Sequence, residues 1–195
     1  MDGIDWMAGA MRAARMRLDV AAHNLANVST DGFRKAQTEA SLTSRGIVIT
    51  VRTAPSQGAL RHTGAPFDLA IVGGGTFDVG GRQTRLGSFT PDRDGYLADA
   101  KGRRLLGTHG AVHVDGQTTI AADGSVRRDG REVNRLPLPS GSSLRSGFLE
   151  GANTDAISEM IEVLGAQRAF ETAQKTMLAI DDVRERSVGD VERLK

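Results

Sequence analysis

The residues of this chain whose types could do chemistry do not combine into a reactive site. His109 and His113 are four residues apart, a spacing that metal ligands often have. The nearest acidic residue in the sequence is Asp115, however, and the chain has no cysteine. We therefore expect no metal ion and no other cofactor.

Catalytic patterns are also missing. The carboxylate pairs Asp92/Asp94 and Asp181/Asp182 fall in turn and helix contexts, where nothing sets one carboxyl apart as the acid and the other as the base. No serine has the Gly-x-Ser-x-Gly frame of a nucleophile elbow. Gly73-Gly74-Gly75 follows an apolar strand, but it lacks the Lys-Ser/Thr and the helix of a phosphate loop, so it predicts a turn or bulge. We expect no catalytic residues and no enzyme.

Composition excludes further classes. A net charge of +1 and an aromatic content of 4% give no basis for binding nucleic acid. No run of about 18 apolar residues is present, so we expect no membrane insertion. Arg12, Arg15 and Arg17 interrupt the apolar positions near the N-terminus, unlike the unbroken apolar core of a cleavable signal peptide.

The most regular element is a helix near the N-terminus. Its apolar residues alternate three and four positions apart, which keeps one narrow seam facing a partner helix. The predicted seam consists of Ile4, Met7, Met11, Ala14, Leu18, Ala21, Leu25 and Val28. We expect the helix to end near 27–29, at a Ser-Thr-Asp-Gly turn in which Gly32 takes a positive φ.

A second long helix should begin at 153–155 and run to about Ser187. Its apolar residues form a broad stripe, and the predicted C-terminal seam is Ile157, Met160, Ile161, Leu164, Phe170, Met177 and Ile180. These apolar residues follow a strict heptad pattern only over two separate stretches, which differ in phase. One stretch is 157, 160 and 164, and the other runs from 163 to 180. Such a slip is typical of a plain 3.6-residue period.

The segment between the helices has the composition of short strands and turns. Nineteen of the 24 glycines lie in 46–151, and turn signals, Asp-Gly pairs among them, separate the candidate strands at spacings of 6 to 12 residues. After a polar linker, Ile47–Val51 reads as a strand, and Pro137–Ser143 reads as an exit linker. We expect three domains: a helix and turn at 1–35, a linker and β-module at 36–146, and a helix at 147–195.

The predicted fold class is α+β, with the terminal helices paired as a coiled coil and a central antiparallel module of barrel or sandwich type. A different arrangement remains open, in which both helices pack on the β-module of their own chain. The narrow seam favours pairing between helices. A functional alternative is a soluble β-domain binding module that homodimerises through its terminal helices.

The stretch Ala22–Lys35 resembles the N-terminal signature of bacterial flagellar rod and hook proteins, in which Asn-Leu-Ala-Asn precedes a Ser/Thr turn and Gly-Phe. The signature residues here are Asn24, Asn27, Gly32 and Phe33. Gln57–Ile71, with the region from Thr84, is similar to the entry into that family's β-domain. Gly147–Glu171 is similar to its C-terminal motif. Gly75-Thr76-Phe77 departs from the family by one aromatic residue.

This resemblance implies a structural subunit of the basal-body rod in the cell envelope, most like a rod protein because the β-module is short. It implies terminal helices that order on assembly and line a hollow shaft, with the β-module outside. The implied partners are copies of this chain, other rod and hook proteins and the flagellar export apparatus, which needs no cleavable signal. No small-molecule substrate is implied.

Overall fold

The computed structural model describes residues 3–43 and 46–192 and has an α+β fold. Helix α1 is Gly3–Ala26 and helix α2 is Ala156–Glu192, so both long helices predicted from the sequence are confirmed. Asp155 caps α2 by accepting a hydrogen bond from the Ser158 amide at 2.9 Å. Within the described ranges, no helix combines the length and apolar character needed to span a membrane.

Most strands are short, because frequent glycine turns interrupt the chain. The described residues form β1 (Ala36–Thr43), β2 (Gly46–Thr53), β3 (Leu60–His62), β4 (Leu69–Val72), β5 (Phe77–Val79), β6 (Arg82–Thr84), β7 (Thr90–Pro91), β8 (Leu97–Ala98), β9 (Leu105–Gly107), β10 (Gly110–Ala111), β11 (Thr118–Ile120), β12 (Ser125–Arg128), β13 (Arg131–Arg135), β14 (Ser143–Ser146) and β15 (Phe148–Glu150).

The strands pair into several small antiparallel sheets. Strands β1 and β2 form a long hairpin, β10-β9-β5-β6 a four-stranded sheet and β11-β12-β13 a three-stranded one. The remaining pairs are β14 with β4, β15 with β3 and β7 with β8. Antiparallel pairing confirms the predicted strand type. A barrel does not form, because the described strands pair in separate sheets rather than in one closed ladder.

The chain divides into two compact units. One contains the described part of the chain up to Ala26, the segment Lys35–Ala54, and the chain from Thr154 onward. In this unit α1 packs against α2 and against the β1–β2 hairpin. The sequence had suggested a linker and a lone strand where the hairpin lies.

The other unit contains Asn27–Arg34 and Pro55–Asn153. Its core is a cluster of buried apolar side chains, in which Phe77 meets Phe89 edge to face with ring centroids 5.5 Å apart. The buried cluster comprises Leu69, Ile71, Phe77, Val79, Phe89, Leu97, Leu105, Val112, Val114, Val126, Leu136 and Leu144. Burial of this set supplies the main driving force for folding of the module.

Candidate functional site

One face of α1 is withdrawn from solvent along the predicted N-terminal seam. Ala14 and Ala21 are buried, each with 4% of the residue exposed. Met7, Met11, Leu18 and Leu25 are half-buried, and Val28 is half-buried in the turn beyond the helix. The side chain of Ile4 lies outside the described residues. The role of this seam in assembly remains a prediction.

The face of α2 withdrawn from solvent follows a strict three-four spacing from its first residue. Its buried members are Glu159, Ala166 and Ala173. Its half-buried members are Ala156, Val163, Phe170, Met177 and Ile180. This stripe includes Phe170, Met177 and Ile180 of the predicted C-terminal seam and follows the heptad phase that the sequence indicates from 163 onward.

The other members of the predicted C-terminal seam are exposed in this chain. The exposed fractions are 73% for Ile157, 52% for Met160, 63% for Ile161 and 54% for Leu164. These four positions are related by three, four and seven residues and therefore share one face of α2. The helix thus has two apolar faces at its N-terminal end, one covered by its own chain and one open. That the open face is an assembly surface remains a prediction.

Polar groups meet where α1 ends and α2 begins. Asn24 is buried, and its side-chain amide pairs with both backbone groups of Ala36, donating to the carbonyl and accepting from the amide at 2.9 Å each. Asn24 also donates to Glu159 Oε2 at 3.1 Å. The other carboxylate oxygen of Glu159 accepts from the Thr154 hydroxyl at 2.6 Å and lies 4.0 Å from Lys35 Nζ.

The signature turn, residues 27–34, folds back on itself after α1. The Thr30 amide donates to the Asn27 carbonyl at 2.9 Å. Gly32 has a φ of 69°, which confirms the predicted positive φ. Its amide donates to the Glu150 carbonyl at 2.6 Å, and the Phe33 carbonyl accepts from the Asn153 amide at 3.2 Å. The turn is therefore fixed to the last residue of β15 and to the segment that follows it.

A buried ion pair supports this attachment, and sequence reasoning missed it. Glu150 Oε2 accepts from Arg85 Nε at 2.7 Å, while Oε1 accepts from the Gly58 amide at 3.2 Å. The same guanidinium donates to the carbonyls of Ile71, Gly73 and Gly75 at 2.8 to 3.0 Å. The triple-glycine segment is thus a turn whose carbonyls bind an arginine. No sequence signal links the two charged residues, because 65 positions separate them.

Other residues that the sequence had offered as candidates for metal binding or acid–base chemistry are held in contacts within the fold. His113 packs edge to face on Tyr96 with centroids 5.2 Å apart, and its Nδ1 lies 2.8 Å from Arg128 Nη2. Asp92 and Asp94 both accept from Arg104. Hydrogen bonds to Asp92, the strongest from the Tyr96 amide, hold the pKa of that carboxyl below its ordinary value. The part of the chain that the structure describes contains no cluster of three potential metal ligands.

In each unit a surface cavity of about 380 Å³ lies beside residues described above. The cavity beside α1 carries charges of both signs, from Arg17, Lys35, Glu159 and Glu162. The cavity beside the signature turn is lined by Phe33, Leu86 and several threonines. Neither lining sets a nucleophile beside a base.

Comparison with known proteins gives concordant matches at both ends of the chain and over its length. Residues 4–34 match the model described as flagella basal body rod protein, and residues 145–189 match flagellar basal body rod FlgEFG protein C-terminal. The chain is 30% identical to the flagellar basal-body rod protein FlgF of Caulobacter vibrioides, covering 92% of both chains.

Two further relatives differ in coverage. The chain is 28% identical to the flagellar basal-body rod protein FlgG of Bacillus subtilis, covering 89% of this chain and 92% of that protein. It is 36% identical to the flagellar hook protein FlgE of Rhizobium meliloti, covering 73% of this chain but 37% of the hook protein. The similarity therefore spans nearly all of the rod proteins and a minority of the hook protein.

Proposed function

The chain belongs to the family of flagellar basal-body rod and hook proteins, and we propose that it is a structural subunit of the rod. Proteins of this family are structural components of the flagellum rather than enzymes. In the proposal, subunits assemble helically through α1 and α2 into a hollow shaft that transmits torque. Rigidity of many packed helices, rather than a reaction, is then the mechanism.

The observation that carries this proposal is the open apolar face of α2. Ile157, Met160, Ile161 and Leu164 are each more than half exposed, although a soluble helix normally turns such residues inward. Their transfer out of water is favourable by about 25 cal/mol for each Å² of apolar surface buried. Because α1 already covers the other face of α2, a helix from a neighbouring subunit is the occupant that fits this strip.

Chain coverage favours the rod over the hook. The rod proteins of Bacillus subtilis and Caulobacter vibrioides are matched over 92% of their length, whereas the hook protein of Rhizobium meliloti is matched over 37%. A subunit of this size supplies both terminal helices and a small β-module without the additional chain of the hook protein. The proposed location is accordingly the basal-body rod, and the proposed partners are copies of this chain and other rod and hook proteins.

The proposal includes delivery by the flagellar export apparatus without a cleavable signal peptide. The distribution of charge along α1 supports this part of the proposal. Arg12, Arg15 and Arg17 are exposed and alternate in the sequence with the apolar seam residues. An unbroken apolar segment, as in a secretory signal, is absent from the described part of α1.

Incorporation into basal bodies tests the proposed function. In a strain that lacks the chromosomal copy, we expect Ile161→Asp or Leu164→Asp to block swimming and to remove the chain from isolated basal bodies. A charge on this face would have to be buried against a neighbouring helix. The matched control is Thr176→Asp, at an exposed position of the same helix that lies off the open apolar face, with unchanged helix content by circular dichroism.

Cryo-electron microscopy of the isolated basal bodies should place the density of this chain in the rod. Normal incorporation of both Asp variants would contradict assembly through this face. A discrete soluble dimer by light scattering, with no density in the rod, would instead favour the homodimeric binding module.

A further inference from the structure

The packed face between α1 and α2 contains one polar pair among apolar residues. Asn24 is 2% exposed and Glu159 is 3% exposed, and they hydrogen-bond at 3.1 Å. Each is held by a further group of the same unit, Asn24 by Ala36 and Glu159 by Thr154. Both polar side chains are therefore satisfied in the register that the structure has, which is the condition for tolerating them in a buried seam.

This contact determines how the helices align. Asn24 lies in the last turn of α1 and Glu159 in the first turn of α2, and the two helices pack extensively against each other. The C-terminal end of α1 thus meets the N-terminal end of α2. If the helices were parallel, they would touch only at these two ends, so packing along their length requires them to run antiparallel. From the Asn24–Glu159 contact, we count seven residues at a time toward the N-terminus of α1 and toward the C-terminus of α2. On the two faces withdrawn from solvent, this places Leu18 opposite Ala166 and Met11 opposite Ala173.

The apolar residues alone do not select that alignment. From Met11 to Leu25 on α1, and from Val163 to Met177 on α2, large and small residues alternate along the withdrawn face, so the pattern repeats every seven residues. A shift of one heptad, about 10.5 Å along the helix, again sets a large residue against a small one. In the shifted alignment Leu18 lies opposite Ala173 and Leu25 opposite Ala166, with nearly the same size complementarity.

The polar pair distinguishes the two alignments. Shifting α2 one way carries Glu159 past the end of α1 and leaves Asn24 opposite Ala166. Shifting it the other way sets the Glu159 carboxylate against Leu18. Either shift separates the Asn24 amide from the Glu159 carboxylate. A shift that leaves one of these groups in the packed face without the other removes a buried hydrogen bond, which is unfavourable compared with the register found.

We infer that Asn24 and Glu159 are positioning residues that fix the heptad register of the α1–α2 pair. The consequence for assembly rests on the proposed function: a subunit whose helices were shifted by one heptad would present the open face of α2 at the wrong height to its neighbours. The pair would therefore act by excluding alternative alignments rather than by adding stability.

Disulfide cross-linking of the purified full-length chain tests this inference without requiring rod assembly. The chain has no native cysteine, so engineered pairs report without background. Met11→Cys with Ala173→Cys reports the register found, and Met11→Cys with Ile180→Cys reports the register shifted by one heptad. A Cα separation above about 7 Å prevents a disulfide, so a 10.5 Å shift is resolved.

With Asn24 and Glu159 present, we expect the first pair to cross-link at least ten times faster than the second. With Asn24→Leu and Glu159→Leu, the two rates should come within about threefold of each other. With Glu159→Ala and Ala166→Glu, which moves the carboxylate by one heptad at constant composition, the second pair should become the faster. The control is Glu159→Gln, which keeps an oxygen to accept from the Asn24 amide and gains an NH2 group that can donate to the Thr154 hydroxyl, and it should keep the original preference.

An unchanged preference for the first pair in both variants would overturn the inference, because the connecting segments would then be sufficient to fix the register. If the double-leucine variant loses helix content, the carboxylate-transfer variant decides, and loss of both cross-links in it also counts against the inference. Cross-linking is measured in the isolated chain and does not depend on rod assembly. Failure of the rod proposal would therefore not affect this inference, and failure of this inference would not affect the rod proposal.

Discussion

Arg85 Nη2 lies 2.6 Å from Glu150 Oε2, and the two side chains are 3% and 1% exposed. This buried ion pair connects β4 and the triple-glycine turn with the end of β15. Glu150 also accepts, through its backbone carbonyl, the amide of Gly32 in the signature turn. The stability of the module and the placement of the turn thus depend on the same residue.

Arg85→Met should destabilise the chain by about 3–5 kcal/mol, because it leaves the Glu150 carboxylate buried without its cation. The control is Arg61→Met, which removes an exposed pair with Asp31 and should cost no more than about 1 kcal/mol. Urea denaturation followed by circular dichroism measures both. A loss below about 1 kcal/mol for Arg85→Met would contradict a structural role for the pair.

Gly32→Ala should disrupt the signature turn. An alanine at φ 69° is strained by about 1–2 kcal/mol, and its Cβ would lie far inside van der Waals contact of the Arg85 and Leu86 backbone. Gly9→Ala is the matched control, because a Cβ at that position would have no neighbour within 4 Å other than the adjoining backbone of α1. That change should stabilise α1 by about 0.5–1 kcal/mol. Equal unfolding midpoints for the two variants would show that the turn adapts.

Leu18→Asp and Leu25→Asp should each abolish swimming while the β-module stays folded. Both residues are half-buried on the packed face of α1, where a carboxylate would have to be desolvated. Ala22→Asp, at an exposed position one residue beyond Ala21, is the control and should swim normally. The measurements are the swimming radius in soft agar and near-ultraviolet circular dichroism. Unimpaired swimming with either leucine variant would refute the seam.

Asp99→Asn should weaken the module at neutral pH. Burial raises the pKa of the Asp99 carboxyl, but hydrogen bonds from the Arg103 side chain and the Arg103 and Lys101 amides outweigh burial and hold the pKa below its ordinary value. The folded chain therefore binds this proton less readily than the unfolded chain. The resulting stabilisation is full above the unfolded pKa of about 4 and is lost as the pH falls through the folded pKa.

The difference in urea midpoint between the native chain and Asp99→Asn should therefore be largest at pH 6 to 7 and should shrink below pH 4. Asp129→Asn, in an exposed turn, is the control for the loss of one carboxyl. A difference that stays constant from pH 7 to pH 3 would show that ionisation of Asp99 contributes nothing.

Local sequence patterns were sufficient to predict the two helices and the signature turn and to recognise the family. The seam from Met7 to Leu25 is visible because helical periodicity depends only on residues three and four apart. The positive φ of Gly32 follows from the turn chemistry around it. The flagellar signature was recognisable because it is a contiguous stretch, and the matches over 4–34 and 145–189 agree with that identification.

Only the tertiary structure decided which long-range pairs form. Strands β14 and β15 have little strand signal of their own and exist because they pair with β4 and β3, whose partner residues lie 71 to 90 positions earlier. The pairing of Arg85 with Glu150 likewise depends on contacts that no short window of sequence contains.

The faces of α2 were decided in the same way. Its sequence has apolar residues on two faces, and period alone does not indicate which face a partner covers. The buried Glu159 selects the face that includes Ala166 and Ala173, because only there does the carboxylate meet Asn24. Sequence therefore determined that two amphipathic helices exist, whereas packing determined which side of α2 is covered within the chain and which side is left open.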